Sequence, residues 1–99
     1  MGAFFEISWS VNAVSTRPSM VWVVDDDPEL RKMVGTYLLD QGYDVRCLCD
    51  VKQFEARLEF QRPDLLVLDL MMPGDDGLSA LRRLRDAGDD LPVVMLTAR

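Results

Sequence analysis

Three aspartates stand where they could do chemistry together. Asp25 and Asp26 follow the apolar run Met20-Val21-Trp22-Val23-Val24, and Asp69 follows Leu65-Leu66-Val67-Leu68. If the two runs are neighbouring parallel strands, the acids converge on one end of a sheet, with ~5 Å between strands. Close carboxylates repel and raise one another's pKa, so an uncompensated cluster is costly. A hard divalent cation such as Mg²⁺ relieves that repulsion, taking octahedral oxygen ligands from one or two carboxylates, waters and a substrate phosphate. Asp69, alone opposite an acid pair, could then attack phosphorus and form an acyl phosphate. The hydroxyl of Thr97, after a further apolar run, could donate to a phosphoryl oxygen.

The elements that must position these residues alternate strand and helix, which argues for an α/β, doubly wound parallel sheet. Val21–Val24 is a short, wholly apolar strand, as expected when helices cover both faces. Asp27-Pro28-Glu29 starts a helix with an N-cap, a proline at N1 and an acid in the first turn. Leu30, Met33, Val34, Tyr37 and Leu38 form its expected buried stripe, and Gly42 ends it. A second strand is expected over about Asp44–Cys49. The next helix should open at Asp50, bury Val51, Phe54 and Leu58, and stop at Arg62-Pro63. Leu65–Leu70 is the third strand. A third helix is expected from about Leu78 to Ala87, with Leu78, Leu81 and Leu84 inward, and a fourth strand over Val93–Leu96 that reads as interior.

Bulk properties exclude other chemistry. Ninety-nine residues make at most one small domain, and a net charge of −6 without a basic run argues against a nucleic-acid surface. The absence of histidine excludes imidazole bases, phosphohistidine and most zinc sites. Cys47 and Cys49 read as small apolar residues in a reducing cytosol. No apolar segment approaches the ~20 residues that cross a bilayer. Residues 1–19 lack the marks of a signal peptide and read as a mobile N-terminal extension, with 20–99 as the folded unit. Met20 is a candidate natural start.

Val24-Asp25-Asp26-Asp27-Pro28, Leu68-Asp69-Leu70-Met71-Met72-Pro73-Gly74-Asp75-Asp76-Gly77 and Leu96-Thr97-Ala98 resemble, in order and spacing, the receiver domain of bacterial two-component response regulators over about residues 20–99. The resemblance implies a flavodoxin-like sheet of strand order 2-1-3-4. It implies that Asp69 is the phosphoacceptor, that Asp26 ligates Mg²⁺ directly, and that Asp25 acts mostly through metal-bound water. It makes the backbone carbonyl of Met71 a further ligand, Thr97 the switch hydroxyl, Ala98 a small residue that leaves the site open, and Pro73 the turn proline. A sensor histidine kinase is the implied phosphodonor. The implied setting is cytoplasmic, with no membrane contact and with DNA reached only through a separate output domain.

The departures bear on function. The family's last two helices, its fifth strand and the lysine and aromatic they carry have no counterpart before Arg99; Lys32 and Lys52 do not match that lysine. A truncated fragment acting only as a protein-interaction module is therefore the alternative. A phosphatase with an aspartate nucleophile would place an acid at position 71, where Met71 stands. Exposed apolar sheet surface would favour a marginal fold or a homodimer or larger oligomer. Asp27 reads as a helix cap rather than a ligand, Asp75 and Asp76 as turn residues, Arg82, Arg83 and Arg85 as a solvated face, and Trp9 and Trp22 as packing or disorder.

Overall fold

The computed structural model describes residues 19–70, 72 and 77–96. Four strands, β1 (Met20–Val24), β2 (Asp44–Leu48), β3 (Leu65–Asp69) and β4 (Val93–Leu96), alternate with helices α1 (Pro28–Asp40), α2 (Val51–Leu58) and α3 (Gly77–Asp86). All strand pairs are parallel, as the alternating pattern predicts, and the order is β2-β1-β3-β4, as the resemblance implies. The apolar runs are strands because every second side chain enters a different core. Trp22, Val24, Leu66 and Leu68 face α2 and α3, packing with Val51, Phe54, Ala80 and Leu84. Val21, Val23 and Val67 face the opposite side, where Leu38 of α1 joins them. Trp22 is packing, buried edge-on against Phe54 with ring centroids 6.0 Å apart.

Caps set the helix starts. Asp27 accepts hydrogen bonds from the N–H groups of Glu29 and Leu30, and Asp50 accepts from Gln53. Each cap satisfies first-turn donors that no helical carbonyl can reach. Asp27 is thus a cap, as expected.

The α2 stripe is as expected, with Val51 and Phe54 buried and Leu58 packed against them, whereas the stripes of α1 and α3 differ in part. Of the stripe expected in α1, only Leu38 is fully buried; Leu30 and Val34 are half-buried, and Met33 and Tyr37 are 63% and 51% exposed. The cause is Gly35, which lies buried against β2: a Cβ there would sit 3.3 Å from Cys47 Sγ. Close approach at Gly35 shifts the inward row to Arg31, Val34, Gly35 and Leu38, at i, i+3, i+4 and i+7. Likewise α3 begins at Gly77, so its inward row runs Gly77, Ala80 and Leu84, and Leu78 is 41% exposed. Helix α2 ends at Leu58, short of Pro63, because the Phe60 N–H bonds to Arg57 in a tight final turn. Strand β2 ends at Leu48 and β3 at Asp69, one residue earlier than expected. Strand β4, expected in the interior, lies at the end of the strand order among the described residues, with Met95 52% exposed. Arg82, Arg83 and Arg85 are exposed, as expected. Asp75, Asp76, Trp9 and the extension up to residue 18 lie outside the described residues.

Gly77 fixes how α3 meets β3. A Cβ at that position would overlap the Asp69 carbonyl oxygen and lie 2.9 Å from the carbonyl carbon and 3.0 Å from Leu70 Cα. All three are backbone atoms with no side-chain freedom to yield. Gly77→Ala should therefore destabilise by roughly 3 kcal/mol, at the upper end of overpacking. Gly88→Ala, at φ +80° with open space around it, should lose only about 1 kcal/mol. Urea denaturation of both variants checks the ranking.

Candidate metal centre

The parallel register builds the site. Val24 pairs with Leu68 across β1 and β3, so the next residues along each strand, Asp25 and Asp69, stand side by side. The ladder on the other side of β1 continues one step further, with the Asp25 N–H donating to Leu48 O at 3.2 Å. One carboxylate oxygen from each of Asp25, Asp26 and Asp69 lies within 4.8 Å of the others. Asp25 and Asp69 are fully buried, and Asp26 is exposed at the lip.

Asp25 is held from several directions. Its Oδ1 accepts the Asp27 N–H at 2.9 Å, closing a tight turn. Its carbonyl oxygen accepts Nη1 of Arg31 at 2.8 Å. Its Oδ2 is buried, and no N–H or O–H among the described residues donates to it. Burial pushes the Asp25 carboxyl up to about 6; the Asp27 N–H opposes the shift, and the neighbouring acids Asp69 and Asp26 add to it. A buried carboxylate oxygen without a donor, beside two further hard oxygen ligands, is a donor set suited to a hard cation. The cluster could hold a metal.

The structure brings together three of the five expected site residues. Met71 and Thr97, with Pro73 and Ala98, lie outside the described residues. Two residues at the site carried no expectation. Gly77 lies one residue before the expected start of α3 at Leu78, yet it seats that helix against the end of β3. Arg31 is polar and so falls outside an apolar stripe, although the spacing Arg31, Val34, Leu38 places it on an inward row. No structure-independent signal marks its hydrogen bond to a main-chain carbonyl. Cys47 and Cys49 are free thiols; burial raises the Cys47 pKa.

Residues 21–99 match the family model described as the response regulator receiver domain. The chain belongs to that family. Response regulator MprA of Mycolicibacterium vanbaalenii is 44% identical over 82 residues, covering 83% of this chain and 36% of that protein. This chain thus spans about a third of the length of such relatives. Among solved structures, the receiver domain of the Francisella response regulator 1452 superposes with a TM-score of 0.76 at 32% identity, over 81% of this chain and 66% of that one. The response regulator TrrA of Thermotoga maritima, solved in complex with Mg²⁺ and BeF, gives 0.76 at 28% identity, over 82% and 70%. Receiver domains are signalling modules of two-component systems. No helix among the described residues is long and apolar enough to cross a membrane.

The raised Asp25 pKa has a sign that can be measured in the metal-free protein. Between the ordinary value of 3.8 and about 6, the folded carboxyl holds a proton that the unfolded chain has lost. The folded state therefore binds more protons, and stability falls as pH rises through this window. Denaturation in EDTA should show a gain on the order of 1 kcal/mol from pH 7 to pH 5. Asp25→Asn should remove most of that dependence.

Proposed function

We propose that this chain accepts a phosphoryl group on Asp69 from the phosphohistidine of a sensor histidine kinase, in a reaction that requires Mg²⁺. The observation that carries this reading is the convergence of three carboxylates on one cation-sized space, with a buried Asp25 oxygen that has no donor. Asp25, Asp26 and Asp69, with the backbone carbonyl of Met71, would hold the ion. When bound, it would neutralise charge on the phosphoryl oxygens. Asp69 attacks phosphorus, the P–N bond to the donor imidazole breaks, and a P–O bond to the carboxylate forms. Position favours Asp69 as the nucleophile. It ends β3 alone, opposite the Asp25 and Asp26 pair that follows β1. Thr97 would donate to the phosphoryl group and, by turning toward it, shift a two-state equilibrium that an output segment reads.

In this proposal residues 20–99 are the receiver unit and residues 1–19 an extension to it, and any control of transcription belongs to a longer protein. The chain is the phosphoacceptor rather than a turnover enzyme, and it is cytoplasmic.

The test is phosphorylation by acetyl phosphate, followed by intact mass. With Mg²⁺ present, a mass gain of one phosphoryl group is expected. EDTA should abolish it, and so should Asp69→Asn. That variant replaces one member of a repelling buried cluster with a neutral isostere, so it should fold at least as stably as the parent in the absence of metal. A correctly folded parent that binds Mg²⁺ but takes up no phosphoryl group would favour the interaction-module alternative. Steady turnover of a phosphoester would replace both readings with a phosphatase.

A further inference from the structure

The turn that presents Asp25 and Asp26 is short, and most of its hydrogen bonds are local. The Asp27 N–H bonds back to Asp25 Oδ1, and Asp27 itself caps α1. Among the described residues, two hydrogen bonds tie the main chain of Asp25 to groups beyond this turn. One is the strand bond from its N–H to Leu48 O on β2. The other is Arg31, whose Nη1 donates to the Asp25 carbonyl oxygen at 2.8 Å from one turn into α1.

Arg31 occupies the inward row of α1 created by the close approach at Gly35, and it is partly buried there. Its guanidinium is near enough to the Cys47 thiol on β2 to oppose the rise in that thiol's pKa. The side chain therefore runs between helix and sheet toward the metal cluster. It addresses a carbonyl, not one of the carboxylates.

We propose that Arg31 is a positioning residue for the metal-binding acids: by fixing the Asp25 carbonyl, it sets the turn from which the Asp25 and Asp26 carboxylates meet Asp69. The inference rests on the metal-site reading given above. Removing a hydrogen bond that orients a metal ligand from outside the coordination sphere lowers affinity by about 10–100-fold. The sign separates this role from simple electrostatics. Arg31 is a positive charge beside a cation site, so through-space effects alone would make its loss tighten cation binding. A positioning role makes its loss weaken binding.

The experiment compares Mn²⁺ binding by the full chain, followed through the free-ion electron paramagnetic resonance signal, in the parent, Arg31→Met and Arg31→Lys. Thermal denaturation in EDTA is measured alongside. Arg31→Met should bind Mn²⁺ roughly tenfold more weakly. Arg31→Lys, which keeps one donor but loses the planar fork, should fall between the two, at about threefold. Unchanged or tighter binding by Arg31→Met would overturn the proposal, whatever happens to its melting temperature. If Arg31→Met does not fold, Arg31→Lys decides, and parental affinity in that variant overturns it. A parent that binds no Mn²⁺ would instead sink the metal-site reading itself, and this inference with it.

Discussion

The register between β1 and β3 is the constraint on which everything else depends. With Val24 opposite Leu68, two aspartates arrive at the same level, beside one another and out of water. A slip of one residue would turn every apolar side chain of β1 to the wrong face, and the two cores on either side of the sheet forbid it. Packing energy spread over many valines and leucines therefore holds together a few charges that would otherwise separate. The site is a strained end on a well-satisfied sheet.

Around that strained end, local geometry works in one direction. The Asp27 N–H takes one oxygen of Asp25, Arg31 takes its carbonyl, and helix α1 starts directly behind the acid pair. Each places positive or donor character near the acids without neutralising all of them. One Asp25 oxygen is left without a donor, and the carboxyl keeps its proton to an unusually high pH. A binding site for a hard cation needs such unspent acceptor capacity, since a fully bonded cluster would have little to gain from an ion.

Much of this was legible in the sequence for identifiable reasons. A strand buried on both faces must be apolar throughout, so Val21–Val24 and Leu65–Leu68 could be read as strands without any partner in view. Asp27-Pro28 states a helix start by itself, because cap and proline act within a few residues. The inward faces of α1 and α3 are legible only in part, through Val34, Leu38, Leu81 and Leu84, because the rest depends on what each helix touches. Gly35 and Gly77 have no side chain to register as hydrophobic, yet each marks the closest approach of its helix to another element. The apolar residues beside them, Met33, Tyr37 and Leu78, drew the stripe toward themselves and proved exposed. Arg31 was hidden for the related reason that a cation on an inward row does not look like an inward residue.

The strand order also governs when this domain can come into being as the ribosome releases it. Strand β1 is synthesised before both of its neighbours, yet it lies between them. Until β2 and then β3 emerge, an entirely hydrophobic pentapeptide waits with no partner on either edge, in a topology of long-range pairings that is intrinsically slow to close. The acid pair at its end is, during that interval, merely two hydrated surface groups. Their chemistry begins only when the strand bearing Asp69 has left the exit tunnel.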